Sequence, residues 1–391
     1  MASEKVAVIG VGMTKFGEFW EKAFRDLIVE AGLQAIEDAD IEGEDVDAAY
    51  VGSMSPGLFI QQEHIAALVA DYAGLTGKPS TRVEGACASG GLAFREAYLS
   101  IKSGEHNIVI AAGVEKMTDI PTFSANVALA GAGDQEWEAF HGVTFPALYA
   151  LMARRHMIEY GTTEEQMALV AVKNHRNGSL NPNAQYQMKV SLDFVMGSAP
   201  IATPLKLFDC SPITDGAAVA ILASEKTAKT LCKNPIWIYG SGQASDTLAL
   251  HDRKSLCKTE AATLAGRKAY EQAHLKPKDI DFAEVHDCFT IAELMAIESL
   301  GFCKEGQSGP FTEAGETALE GSIPINTSGG LKSKGHPVGA TGIAQVIEAT
   351  YQLRGKAGER QIKGARHGLT HNVGGSGATA VCHILGAEEP R

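Results

Sequence analysis

Several familiar signatures are missing from this 391-residue chain, and each absence removes a class of function. No run of about 18 apolar residues is long enough to span a bilayer, so no membrane segment is expected. Neither the phosphate-binding loop spacing nor the dinucleotide-binding glycine spacing occurs, so the glycine-rich turns are not nucleotide fingerprints of those kinds. The seven cysteines are scattered, with no Cys-x-x-Cys pair and no metal-ligand spacing. That pattern fits a reducing cytoplasm better than a disulfide framework or a metal site. Basic charge is also scarce. A formal net charge of −13 excludes a dominant nucleic-acid surface, though not a local basic groove for an anionic ligand. The first residues run straight into an apolar strand, so no signal peptide is expected, and the last residues are not a peroxisomal address.

What is present is an alternation of strand-like and helix-like segments with glycine turns, which predicts a mixed α/β sheet with covering helices. The pattern occurs twice. Val6-Ala7-Val8-Ile9-Gly10-Val11-Gly12 is matched by Ile236-Trp237-Ile238-Tyr239-Gly240-Ser241-Gly242. An alanine-rich helix follows each, over 26–39 and 259–273. Then come an acidic connector and a short strand, Glu44–Val51 in one half and Lys278–Val285 in the other. A Gly/Ala-rich helix begins at Cys87 and another at His336. The strand over 106–113 is answered by His371–Gly377 leading into 378–385. The chain therefore reads as two halves, 1–225 and 226–391, related by a pseudo-twofold axis. Such symmetry would bring equivalent helix N-termini to one shared face. The first half is interrupted over 119–210 by an inserted lobe with helices at 152–160 and 164–177, and with loops at 181–183 and 200–205. Arg154, Arg155, Lys173, His175 and Arg176 give this lobe local positive charge, which could meet an anionic ligand or simply coat a solvated helix face.

Four segments carry candidate chemistry. In Val83-Glu84-Gly85-Ala86-Cys87-Ala88-Ser89-Gly90-Gly91, small residues surround a cysteine at a helix mouth. Unpaired N–H groups there would favour a thiolate near neutral pH. A buried, inert cysteine is the structural alternative. His286-Asp287-Cys288-Phe289 ends an apolar strand. Gly335-His336-Pro337 lies within a long glycine-rich turn, and Asn372-Val373-Gly374-Gly375-Ser376-Gly377 forms a third flexible turn suited to close backbone approach.

In this order, these segments resemble the thiolase family over essentially the whole chain. The resemblance implies a thiolase-like duplicated core with an inserted loop domain that binds coenzyme A. It makes Cys87 the acylated nucleophile, His336 its base, and the N–H groups of Cys87 and Gly374 the oxyanion donors. Ser211, in Ser211-Pro212-Ile213-Thr214-Asp215-Gly216, would lie beside the pantetheine arm. Many thiolases carry Asn-Glu-Ala-Phe where this chain has His286–Phe289, and a second cysteine where it has Asn372. The paired departure resembles sterol-carrier-protein-type and archaeal acetoacetyl-CoA thiolases, in which the cysteine of His-Asp-Cys-Phe supplies the acid/base thiol. Cys288 would then take that role, with His286 polarising the thioester. The implied reaction is Claisen condensation of two acetyl-CoA to acetoacetyl-CoA, feeding a mevalonate-type pathway. Alternatives are thiolysis of longer or branched 3-ketoacyl-CoA and a silent scaffold subunit. Coenzyme A enters as substrate, with no tightly bound cofactor and no metal. The resemblance further implies a homodimer or dimer of dimers, and partners such as HMG-CoA synthase with an OB-fold, zinc-ribbon scaffold protein.

Overall fold

The computed structural model describes residues 4–390; the expectations about a leader and a C-terminal address fall partly on Met1–Ser3 and Arg391, outside the described residues. The strands are β1 (Val6–Met13), β2 (Ala48–Gly52), β3 (Ser80–Val83), β4 (Ile108–Glu115), β5 (Pro200–Ala202), β6 (Leu205–Lys206), β7 (Gly216–Ser224), β8 (Ile236–Ser245), β9 (Phe282–Glu284), β10 (His367–Gly374) and β11 (Thr379–Gly386). Nine form one mixed sheet in the order β3-β2-β4-β7-β1-β8-β11-β10-β9. Starting from the central antiparallel pair β1–β8, each half reads outward identically. Two antiparallel pairings (β1–β7 and β7–β4; β8–β11 and β11–β10) are followed by a parallel one (β4–β2; β10–β9). Even the outer edge is repeated: β3 lies parallel to β2, and a parallel bridge from Ala283 to Ile325 takes its place beside β9. The repeat seen in the sequence is a structural duplication.

Period-two alternation lets each half bury both faces. In β1, Val6, Val8, Val11 and Met13 pack inward against the Ser89–Lys102 and Thr341–Leu353 helices, while Ala7 and Ile9 pack outward against Phe24–Ala39. In the second half the outer face is covered by Glu260–Ala273 and Thr290–Ser299. Two central helices, a half-sheet on either side and outer helices beyond give the layered α/β core.

The doubled Gly-x-Gly has one cause. A Cβ on Gly10 or Gly12 would lie 2.4 or 2.3 Å from a carbonyl of the first outer helix, and one on Gly240 or Gly242 would lie 2.2 or 2.0 Å from a carbonyl of its counterpart. The central helices approach equally closely at their N-termini, where a Cβ on Gly342 would sit 2.1 Å from Gly91 N. Backbone cannot retreat as a flexible side chain can. Gly342→Ala is therefore expected to lower unfolding free energy by about 3 kcal/mol, read as a fall in urea midpoint; an unchanged midpoint would show that the crossing has slack.

Three local expectations change. Residues 200–205 form the β5–β6 ribbon, not a loop. Asn372–Gly374 belong to β10, and the turn begins at Gly375. His336 does not start a helix; the central helix begins at Thr341. Among the described residues no helix is long and apolar enough to cross a membrane.

Candidate active site

Cys87 sits in a one-turn 3-10 helix, Ala86–Ala88, that feeds directly into the Ser89–Lys102 helix. Ala86 has φ 52°, a left-handed backbone that a non-glycine residue adopts at some cost. The kink is held by Ser89 Oγ, which accepts from Gly85 N–H (3.1 Å) and donates to Ala86 O (2.6 Å). The backbone N–H groups of Gly375 and of Cys87 itself favour the thiolate. The helix mouth does not make a thiolate, however. Burial pushes the Cys87 thiol up to about 12, outweighing the N–H groups, with the nearby Glu115 charge adding to the rise. The free protein therefore holds a neutral thiol, and a base must take its proton.

The glycine loop places a candidate base beside this thiol. One nitrogen each of His286 and His336 lies with Cys87 Sγ in a cluster whose atoms are all within 4.8 Å of one another. His336 Nδ1 is 2.6 Å from Thr341 Oγ1, which itself donates to Pro337 O at 3.1 Å. A hydroxyl has one proton to give, so Thr341 accepts from His336 Nδ1–H. The lone pair then lies on Nε2, a buried atom without a partner. Burial and the Lys334 charge press this imidazole down to about 3, which keeps it neutral and able to accept. Its backbone is anchored too: His336 N–H donates to Thr214 Oγ1 at 3.0 Å.

The His-Asp-Cys-Phe turn divides its labour by alternation. Cys288 lines the same cavity as Cys87 and His336, a space of about 100 Å³. Asp287 faces away and accepts from Leu331 N–H (2.7 Å), Lys332 N–H (3.4 Å) and Asn174 Nδ2 (2.8 Å). It thereby ties the glycine loop to the strand end. Burial, and the neighbouring Glu293, raise the Asp287 carboxyl to about 7. Burial pushes Cys288 up as well, against the opposing influence of the neighbouring Tyr149 hydroxyl and Phe289 N–H. Tyr149 donates to Gly375 O at 3.1 Å and stacks on Phe289 with centroids 4.5 Å apart. Sequence reasoning missed Tyr149, because on the Phe145–Tyr160 helix it shares its buried face with Met152 and His156 and reads as core.

Among the remaining expected residues, Ser211 lines this cavity, and its N–H donates to Cys288 O at 2.9 Å. It also borders a second cavity of about 250 Å³, which contains His175 and Lys332. Gly374 packs at the end of β10 against the Gly85 carbonyl, and the lining residue is its neighbour Gly375. Of the lobe's basic residues, Lys173 is buried on Glu293 (2.6 Å), while Arg155 and Arg176 pair with Glu159 and Glu320. His175 is buried and pressed down to about 4, chiefly by that burial. Arg154 is exposed. The expected cluster of phosphate-binding cations is thus largely engaged within the protein itself.

Comparison with known proteins shows the family. The thiolase N-terminal domain matches residues 6–193, and the thiolase C-terminal domain-like family matches residues 242–387. The chain is 59% identical to an acetyl-CoA acetyltransferase of Methanothermobacter thermautotrophicus, over 97% of this chain and 99% of that one. A Methanocaldococcus jannaschii acetyl-CoA acetyltransferase is 51% identical over 97% and 98%. Among solved structures, the Ltp2-ChsH2(DUF35) aldolase superposes with a TM-score of 0.85 at 28% identity, covering 98% of each chain.

Proposed function

Because the chain belongs to the thiolase family, we propose that it is an acetyl-CoA C-acetyltransferase that condenses two acetyl-CoA into acetoacetyl-CoA and free CoA. The observation that carries the reading is the meeting of Cys87, His336 and Cys288 around one small cavity. The names of its archaeal relatives support the same reaction.

In the first half-reaction, His336 Nε2 takes the Cys87 proton and the sulfur attacks the thioester carbonyl. The N–H groups of Cys87 and Gly375, which lie beside the sulfur, receive the tetrahedral oxyanion. Cys288 protonates the departing CoA thiolate. This leaves acetyl-Cys87, a Cys288 thiolate and a His336 imidazolium. The charge pair answers the desolvation that keeps both groups neutral at rest. In the second half-reaction, the Cys288 thiolate removes a proton from the methyl of another acetyl-CoA. His286 and His336 hold the enolate oxygen. The carbanion attacks acetyl-Cys87, acetoacetyl-CoA forms, and Cys87 recovers its proton from His336. Every proton is returned, and thiolysis is the reverse path.

The cavity lies between lobe residues, including Asn126, Phe145 and Tyr149, and the Ser211–Ile213 segment. We assign 119–210 as a lobe inserted in the half 1–225, with 226–391 as the second half, and place the pantetheine arm between lobe and core beside Ser211. Tyr149, Phe289, Met117 and Leu129 close the space, which suits a two-carbon acyl group. The chain would work in the cytoplasm as a homodimer or dimer of dimers. Exposed Phe123, Trp137 and Phe140 on the lobe support docking of partners such as HMG-CoA synthase and an OB-fold scaffold; a monomer at micromolar concentration in light scattering would reject self-association.

The direct test offers acetyl-CoA to the isolated protein and follows free CoA and acetoacetyl-CoA, then compares thiolysis of 3-oxoacyl-CoA from four carbons upward. Highest kcat/KM at four carbons is expected. A preference for long chains would reassign the enzyme to degradation, and no thioester exchange at all would make it a scaffold.

A further inference from the structure

The two histidines beside Cys87 do not carry their protons on the same atom, and the reason lies in Asn372. Its amide meets two backbone groups of opposite polarity. Gly91 N–H, in the unsatisfied first turn of the Ser89–Lys102 helix, donates to Asn372 Oδ1 at 3.2 Å. Asn372 Nδ2 donates to Cys87 O at 3.0 Å. A flipped amide would set NH₂ against N–H and oxygen against oxygen, so the orientation is determined by the backbone. The second amide proton is then directed at His286 Nδ1, 3.2 Å away. A donor facing that nitrogen requires a lone pair on it.

His286 is neutral, since burial and the adjoining His336 and His371 hold it well below the usual imidazole range. A neutral ring has one proton. With Nδ1 bare, the proton is on Nε2, which is buried with no partner of its own. His336 has the opposite arrangement, with Nδ1–H on Thr341 and the lone pair on Nε2. The rings are 5.0 Å apart at 81°.

We infer that Asn372 is a positioning residue that holds His286 in its Nε2–H tautomer, making it a hydrogen-bond donor to the thioester oxygen and denying the Cys87–His286–His336 cluster to metal ions. A thiol and two imidazoles within 4.8 Å are a donor set that zinc takes readily. A metal-bound histidine must present a lone pair to the ion and donate its other N–H to an oxygen. The Asn372 NH₂ occupies that second position and is itself a donor, so it opposes the metal-binding tautomer. The residue thereby separates acyl-transfer chemistry from zinc capture. The donor role rests on the proposed acyl transfer; the tautomer does not.

Asn372→Asp replaces the amide donor with a carboxylate oxygen of similar size and should invert the ring. Two measurements on the full chain test this. Nitrogen-15 NMR of the histidine side chains, with His286 assigned by its loss in His286→Gln, should show Nε2 protonated and Nδ1 bare in the unmodified protein, and the reverse in Asn372→Asp. Titration with zinc alone against a chromophoric chelator should show at least about tenfold tighter binding by the variant, accompanied by lost condensation. Nδ1 protonation of His286 in the unmodified protein would overturn the inference even if the variant fails to fold, and so would unchanged zinc affinity in a folded, inverted variant. An Nε2–H His286 in a protein without acetyl-CoA activity would instead reject the catalytic reading and leave the tautomer assignment standing.

Discussion

Replacing Cys87 with serine is expected to abolish acetyl transfer, lowering CoA release from acetyl-CoA by more than about 10³-fold, with little change in the fold. The side chain is small and nearly buried, and the N–H groups of Cys87 and Gly375 would accept an oxygen in its place. What fails is the chemistry. Burial already raises the thiol to about 12, with the neutral His336 imidazole as its base. A hydroxyl begins from a still higher pKa, beyond what that imidazole can draw off. Peptide mass analysis after incubation with acetyl-CoA should locate the acetyl group on Cys87 in the unmodified protein and nowhere in the variant. The low value of His336 also sets a pH expectation. Because its pKa is depressed, the accepting form persists as pH falls, so acetylation should not decline between pH 8 and pH 5 through protonation of this histidine. Full condensing activity in Cys87→Ser would remove Cys87 from the mechanism.

Cys288→Ala is expected to separate the half-reactions. The variant should still become acetylated on Cys87, because His336 and the backbone donors are untouched and the departing CoA thiolate, a good leaving group, can draw its proton from the His336 imidazolium or from water. Condensation should fall by at least about 10²-fold, the usual size of a lost general base. Single-turnover acetylation and steady-state acetoacetyl-CoA formation, measured side by side, read the two steps separately. Packing loss should be modest, since the side chain borders an existing cavity. Near-normal turnover would move the acid/base role elsewhere, and Tyr149, which lines the same cavity beside that thiol, would be the next candidate. Acetylation lost together with condensation would mean that no other donor can replace Cys288 in protonating departing CoA in the first step.

Much of this arrangement is readable from the chain alone. The doubled Gly-x-Gly, the alanine-rich helices and the acidic connectors announce a duplication, because a helix backbone laid on a strand tolerates no Cβ at the point of contact, and that demand recurs at Gly10, Gly12, Gly240 and Gly242. Cys87, His286, Cys288 and His336 stand out because each lies at a strand end or glycine turn, and three of them, Cys87, Cys288 and His336, line one cavity. Such features depend on neighbours within a few residues, and so they survive in one dimension.

Other features depend on groups brought together from far along the chain. Whether Cys87 is a thiol or a thiolate depends on its burial, whose desolvation outweighs the N–H groups of a helix mouth visible in the local sequence. Tyr149 looks like any core aromatic until it meets Cys288 and Gly375. The backbone donor beside the sulfur is Gly375 because β10 extends through Gly374 before it turns. Lys173 and Arg176 look free for phosphate until Glu293 and Glu320 neutralise them. Local pattern therefore determined the duplicated architecture and the identity of the reactive residues, because periodicity and turn chemistry act over short spans. The tertiary structure alone decided their protonation states and partners, because desolvation and hydrogen bonding depend on which distant atoms fill the space around each group.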